Sequence, residues 1–358
     1  MIDGREFVEG RLTGIGRVLR GFIDALAESN VIEEILLVIH NPRVIPSSLE
    51  NRRKIKLIKI PSPFLRSEKT LSNLSKKEMS IFISPYPKLP LFGCYCPSVH
   101  IIHDVLDLTY PAYKKRLKVL FDSYRLKMAL RRADLTWYVS SWTLEETRKY
   151  TGNTGKNPRV RHSGIAESFN SMRQRDEEHT LNKYALNPGY ILVLGNGRPH
   201  KNLGVLLNIA GQLSRKIVFA GVPEKNQQYW RLVYPEAKVV WLKHILDEDL
   251  PAVLRDSFCL AQPSIVEGYG YPPLEAMACG VPAVISDIAV LRETTGGNTL
   301  IASPDDSKEW LEIFGLLENR AHYKNLVEKG LKWVDPLRGR KGWQRHVSDI
   351  EELLGAHR

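Results

Sequence analysis

Short apolar runs, each stopping on a polar, glycine or proline residue, recur along this chain with amphipathic stretches between them. That alternation restricts the fold more than any other feature. In the first half the runs are "EILLVIH" (34–40), "KIKLIKI" (54–60), "MSIFISP" (79–85), "SVHIIHD" (98–104) and "LTWYVSS" (135–141). In the second half they are "YILVLGN" (190–196), "KIVFAGV" (216–222), "KVVWL" (238–242), "SFCLAQP" (257–263) and "PAVISD" (282–287). The first helical pattern begins at Thr13 and sets Ile15, Val18, Leu19, Phe22, Ile23 and Leu26 on one stripe. Buried strands separated by helices indicate parallel sheets, because parallel neighbours need a crossover connection.

A chain of 358 residues exceeds what one ordinary core supports, so two domains are expected. The polar stretch "SFNSMRQRDEEHTLNKYALNPG" (168–189) has no strand pattern and reads as the join. The expected organisation is a first Rossmann-like domain over 1–172, a linker over 173–189 and a second Rossmann-like domain over 190–340. Residues 341–358 hold a last helix, near 342–354, that is free to pack back on the first domain. The fold class is α/β, two doubly wound domains in tandem. Sites in such sheets lie beyond the carboxyl ends of the strands, here expected to face a central cleft.

Two short constellations carry chemistry. "EGYGYPPLEAMACG" (267–280) follows the run 257–263 and reads as a loop turning into a helix. Pro272 and Pro273 suit early helical positions and Gly280 the residue past the helix end. Glu267 then sits on the loop and Glu275 in the first helical turn. Gly268 and Gly270 leave the backbone bare for close approach, and carboxylates accept hydrogen bonds from hydroxyl pairs. The plain alternative is a turn followed by a helix whose Glu275 complements the dipole. The second constellation, "GNGRPHKN" (195–202), follows the strand 190–194. Its glycines open the backbone, and Arg198 and Lys201 suit a diphosphate. It is neither a G-x-G-x-x-G nor a Walker A loop. His103–Asp104 ends a buried run, and "TGIG" (13–16) is a glycine-containing helix entry. "DED" (247–249) precedes an apolar helix, so capping explains it better than metal binding.

In this order the motifs resemble those of glycosyltransferase family 4, retaining enzymes of the GT-B fold. The likeness covers most of the chain and is densest over 239–297, where Glu267 and Glu275 match the family's E-x7-E spacing. "GRPHKN" looks like its diphosphate loop; "TGIGR", "HD" and "ADLTWYVSSWT" resemble its N-terminal landmarks. The resemblance implies that Glu267 and the backbone of Gly268, Tyr269 and Gly270 contact the donor sugar, and that Glu275 takes the ribose hydroxyls. Arg198 and Lys201 would bind the diphosphate and stabilise the leaving group. Gly14 and Gly16 would approach it across the cleft, and His103 would lie near the transferred sugar. Backbone at Leu242, Lys243, His244 and Ile245 would meet the base. It further implies a GDP-sugar or UDP-sugar donor, no metal and no cofactor, and a glycan or lipid-linked acceptor in polysaccharide assembly. Two departures stand out: Lys243 occupies a position where the family usually has glycine, and "MIDGREF" is short for a first strand, which implies a shortened start and a weakened sheet edge. A nucleotide-binding scaffold without catalysis keeps the fold. So does a glycogen-synthase-like enzyme, against which the short chain argues.

Composition narrows the partners. Hydrophobic residues make up 43% and charged residues 25%, proportions of a soluble globular chain. No apolar run approaches the ~20 residues that cross a bilayer, and "MIDGREFVEG" has acids where a signal peptide has bases; a cytoplasmic protein is expected. Cys94 and Cys96 form a lone C-x-C, and Cys259 and Cys279 stand apart, so no structural metal is expected. The net charge of +11 is uneven: residues 1–183 hold 31 Lys and Arg against 20 Asp and Glu, while 184–358 hold 20 of each. Residues 51–132 alone hold 18 against 5, chiefly in "RRKIKLIKI" (52–60) and "KKRLKVLFDSYRLKMALRR" (114–132). Such a surface attracts polyanions. An anionic membrane face is the expected partner; nucleic acid is not, because the aromatic platforms that hold single strands are missing.

Overall fold

A computed structural model describes residues 1–7, 13–46, 49, 52–76, 80–110, 113, 116–175 and 177–356. Met79, Lys114 and Lys115, which the sequence analysis placed in a strand and a basic segment, lie outside them. The chain divides into two units, Met1–Gly164 with Gly339–Arg358, and Ile165–Arg338.

The first unit is a seven-stranded parallel sheet. Its strands are β1 (Ile2–Asp3), β2 (Ile35–Ile39), β3 (Ile55–Lys59), β4 (Phe82–Ser84), β5 (Ser98–Ile102), β6 (Leu135–Tyr138) and β7 (Pro158–Val160). They run in the order β3-β2-β1-β4-β5-β6-β7. The order changes direction between β1 and β4, the place where ligands gather in doubly wound sheets. The two-residue β1 is not at the edge, as the sequence analysis expected, but in the interior. Ile2 pairs with both Leu37 and Ile83, so neighbours on both sides hold a strand too short to be read from its own pattern.

The predicted first helix is Gly14–Ala27, and its stripe of Val18, Leu19, Phe22, Ile23 and Leu26 is buried. The last helix, Gly339–Gly355, completes this unit by packing on it. Phe22, Trp137, Trp343 and His346 form one aromatic cluster. A side chain at Gly21 would come within 2.8 Å of Trp343 Nε1, so glycine sets how closely the two helices meet. Asp349, 4% exposed, accepts from Trp137 Nε1 at 2.8 Å and from Arg161 Nε at 2.8 Å. Burial alone raises its pKa, but Arg161, Arg159 and the indole N–H outweigh that and hold the carboxyl below its ordinary range.

The second unit is a six-stranded parallel sheet of β8 (Ile191–Leu194), β9 (Ile217–Ala220), β10 (Val239–Leu242), β11 (Cys259–Gln262), β12 (Ala283–Ser286) and β13 (Leu300–Ala302). The order is β10-β9-β8-β11-β12-β13, so its switch point falls between β8 and β11. The sequence analysis missed β7 and β13. Both have three residues and lie at a sheet edge, where a strand needs no continuous apolar run.

The expected boundaries move. Residues 165–172 belong to the second unit, and 173–189 are not a linker but contain the helix Glu177–Lys183. Their polar side chains are partners for buried charge: Glu177 accepts from Arg255 Nε at 2.7 Å, and Arg173 Nη2 donates to Asp256 at 2.6 Å. Polarity that suggested solvent reflects internal ion pairing. The second unit also ends at Arg338, with Ile165 N–H donating to Leu337 O at 2.8 Å. Among the described residues no helix is long and apolar enough to cross a membrane.

Candidate active site

In the second unit the chain leaves β8 through Gly195–Asn202 and leaves β11 through residues 263–270, one loop on each side of the switch point. Gly197 has φ +67°, and a Cβ there would come within 2.9 Å of Val222 Cγ1; only glycine makes this turn without strain. Asn202 also has a positive φ, +52°, a conformation asparagine tolerates better than most residues. Its Nδ2 donates to Pro263 O at 3.1 Å and Pro304 O at 2.7 Å, and Ile265 N–H donates to His200 O at 2.9 Å. These bonds tie the loop after β8 to the loops after β11 and β13.

The result is a convergence on one carboxylate oxygen. Glu267, 9% exposed, receives at Oε1 hydrogen bonds from Lys201 Nζ, Gln262 Nε2 and Ser264 Oγ, each at 2.6 Å. Burial pushes the Glu267 pKa up, but the Lys201 ammonium and the Ser264 hydroxyl outweigh it, and the carboxyl is held below its usual value. A buried carboxylate so fixed offers a rigid, charged acceptor for hydroxyl groups, and the adjoining ammonium favours an anion beside it. Arg198 lies exposed on the same turn. Burial, with Lys201 nearby, depresses His200 to about 4, so it is neutral near pH 7.

Beyond Glu267, Gly270 has φ +89°, and a Cβ there would lie 2.3 Å from Leu291 Cδ2. The helix Tyr271–Ala278 begins immediately after it. Glu275 is the fifth residue of that helix and 3% exposed, in the second turn rather than the first. Tyr269, 5% exposed, lies with its ring 4.8 Å from that of Tyr271, and Gly268 joins Glu267 to it. Leu242 ends β10, the edge strand two places from β8, and Lys243, His244 and Ile245 follow it; Lys243 and His244 are exposed and Ile245 is buried. Asp249 does not cap its helix with its side chain. Its Oδ2 accepts instead from Lys183 Nζ and Tyr184 Oη, both at 2.7 Å. Sequence reasoning overlooked Gln262, Ser264 and Asn202. A glutamine closing an otherwise apolar strand was the available signal, since a buried amide needs partners.

The remaining sequence-derived residues lie in the first unit, around its own switch point. Thr13 caps the helix Gly14–Ala27, accepting from Gly16 N–H at 3.0 Å, so that amide already has a partner. Gly14 is exposed with open space where a Cβ would be. Thr13 Oγ1 also bonds Glu6 Oε1, and Glu6 Oε2 accepts from Tyr86 Oη at 2.7 Å. His103 follows β5, with Nε2 3.1 Å from Pro85 O. A carbonyl only accepts, so Nε2 carries the hydrogen and Nδ1 is the lone-pair nitrogen. Burial lowers His103 to about 4, which makes it a neutral hydrogen-bond acceptor near pH 7.

Burial likewise depresses His100 and His346 to about 3. Because the folded pKa values lie below the ordinary 6.5, the unfolded chain binds more protons between about pH 4 and 6.5. Stability is therefore complete above that window and falls as pH drops through it. Melting temperature measured from pH 7 to 4 is expected to decline steadily from about pH 6.5, before ordinary carboxylates titrate. A flat profile down to pH 5 would contradict the burial of these imidazoles. Among the described residues no cluster of His, Cys, Asp or Glu could hold a metal ion.

Residues 174–333, inside the second unit, match the family model described as glycosyl transferases group 1. The chain is 28% identical over 334 residues to O-antigen chain mannosyltransferase B of Escherichia coli, covering 86% of this chain and 87% of the relative. Among solved structures, sucrose-phosphate synthase from Thermosynechococcus elongatus superposes with a TM-score of 0.78 at 16% identity, covering 100% of this chain and 99% of that one. Anabaena HepE in complex with UDP and glucose gives 0.77 at 15% identity, covering 98% of each chain. The solved structures show the GT-B fold, and the family match within the second unit together with the curated mannosyltransferase relative supports an enzyme of the hexosyltransferase class.

Proposed function

We propose that the chain is a retaining, family 4 glycosyltransferase that moves a hexose, mannose foremost, from a nucleoside diphosphate sugar to a glycan or lipid-linked acceptor. The observation that carries the reading is the Lys201 ammonium held at 2.6 Å on a buried Glu267 beside a switch point. In this reading Glu267, with the backbone of Gly268, Tyr269 and Gly270, holds hydroxyls of the donor sugar, and Glu275 holds the ribose. Lys201 and Arg198 neutralise the diphosphate, whose charge grows as the bond from the sugar C1 to phosphate oxygen breaks. The acceptor oxygen forms the new bond on the same face of the sugar, and its proton passes to the departing phosphate. No side chain becomes covalently attached, and cationic side chains take the part a metal plays elsewhere. Residues 242–245 are the proposed contact for the base. Gly14, Gly16 and His103 are the first unit's contribution, His103 as an acceptor of hydroxyl hydrogens. Mannose is supported by the curated relative, a mannosyltransferase that the chain matches over 87% of that relative's length.

The test is a thermal-shift screen with GDP, UDP, GDP-mannose and UDP-glucose, followed by donor hydrolysis or transfer with the compound that stabilises most. A ligand at a hundred times its Kd adds about 2.7 kcal/mol to the stability of the state that binds it. Stabilisation by one diphosphate series together with turnover is expected. No shift with any of them would remove the donor assignment. A shift without turnover would leave a binding scaffold.

A further inference from the structure

We propose that the face of the first unit formed by the helices Phe64–Leu74 and Arg116–Arg132 docks on an anionic lipid bilayer. The helix Arg116–Arg132 is apolar on two sides. One side is explained by folding, with Leu126 and Leu130 buried among Ile102, Val105 and Tyr138. The other side bears Leu117, 84% exposed, Leu120, 68%, Phe121, 41%, and Tyr124, 57%. Their spacing of i, i+3, i+4 and i+7 makes one stripe, and among the described residues none covers it. The stripe continues onto the neighbouring helix, where Phe64 is 46% and Leu65 62% exposed. The Phe64 and Phe121 rings meet edge to face at 6.1 Å. A contiguous apolar surface of this kind marks an interaction site.

Charge selects the occupant. Lys127 and Arg131 follow Tyr124 by three and seven residues, on the same stripe, and Arg66 and Lys69 follow Leu65. All four are exposed and, among the described residues, make no ion pair. The other basic segment of the sequence is partly paired, Arg52 with Asp24 and Glu28 and Lys56 with Glu34. The acids near the stripe, Asp107 and Asp122, are both taken by Lys118. Uncompensated cations thus coincide with the exposed apolar side chains. That combination suits the headgroup boundary of an anionic membrane, where apolar side chains insert and Lys or Arg remain among the phosphates. The platform is rigid as well, since the Arg125 guanidinium lies 5.9 Å from both ring centroids and is anchored beneath them on Glu68 at 2.6 Å.

The full chain is to be sedimented with vesicles of phosphatidylcholine alone and of phosphatidylcholine and phosphatidylglycerol in equal parts. Wild type is expected to bind the mixed vesicles, weakly in high salt, and to leave phosphatidylcholine in suspension. Leu117→Ser with Leu120→Ser, and separately Lys127→Glu with Arg131→Glu, should each lower binding at least about tenfold, since one basic residue near the surface is worth roughly fivefold. All four positions are exposed, so melting temperature and the shift produced by nucleoside diphosphates should stay as in wild type. Equal binding to both vesicle types, undiminished binding by either variant, or no binding by wild type would overturn the proposal. So would a lipid-free dimer that the Leu117→Ser, Leu120→Ser change dissociates, because a second copy would then cover the stripe.

Discussion

Replacing Lys201 with alanine is expected to lower kcat/KM for sugar transfer by roughly 10²–10³-fold, the usual loss when one group aimed at developing transition-state charge is removed. The expectation follows from placement. Lys201 comes off β8 and Glu267 off β11, and the two meet at 2.6 Å where the strand order reverses. The substitution has a second consequence. Glu267 would keep its bonds from Gln262 and Ser264 but lose the cation that offsets its burial, so its carboxyl pKa would rise. Breaking a fully buried pair costs about 3–5 kcal/mol. Here Lys201 and Glu267 keep 16% and 12% side-chain exposure, so the lower end applies. A cycle of Lys201→Ala, Glu267→Gln and the double variant should give a coupling of about 0.5–3 kcal/mol in stability, alongside the loss of turnover. Transfer within threefold of wild type by a folded Lys201→Ala protein would refute the role assigned to the ammonium.

Glu68→Ala is expected to be the most destabilising single change in the first unit. Glu68 has 0% exposure and bridges two arginines, with Oε1 at 2.9 Å from Arg5 Nη1 and Oε2 at 2.6 Å from Arg125 Nη2. It also accepts from Leu91 N–H at 2.8 Å. Burial works to raise its pKa, but Arg125 and Arg5 overcome that and hold the carboxyl below its ordinary value. Removing it strands Arg125, 5% exposed, without a carboxylate, at a cost of about 3–5 kcal/mol. For a unit of this size that lowers the melting temperature by roughly 6–20 °C. Because the folded pKa is depressed, the contribution is complete above the unfolded value near 4.5 and is lost as pH falls below it. Wild type and variant should therefore converge in acid. A melting temperature unchanged at pH 7 would show that the buried network contributes nothing. The same network anchors the exposed stripe, so Glu68→Ala should also weaken vesicle binding, whereas the surface variants affect binding alone.

Much of the fold was legible because its signals are local. Runs such as "YILVLGN" and "PAVISD" carry their strand character in their own residues, and the helix from Thr13 shows its stripe and its cap within a few positions. What escaped was what neighbours impose. β1 is a strand because Leu37 and Ile83 flank Ile2, and β7 and β13 need only one partner each. Polar residues 173–189 were mistaken for a linker because the buried partners of Arg173 and Glu177 lie some eighty residues away, at Asp256 and Arg255. The candidate site divided in the same way. Glu267, Lys201 and the glycines between strand ends and helix starts were visible as residue types suited to a phosphate and a diol. Gln262, Ser264 and Asn202, which hold them in place, look in sequence like ordinary strand and loop residues.

The order of the ten strands that carry their own apolar runs, the two-unit plan and the residue types at the strand ends were legible in the sequence alone, since hydrophobic period and turn chemistry act over a few positions. Only the tertiary structure decided that Lys201 and Glu267 meet, that Arg125 is buried while Leu117 and Leu120 face outward, and that the last helix joins the first unit. Each of these depends on which side of an element a distant partner covers, and burial and Coulomb energy are set by proximity in space, not along the chain.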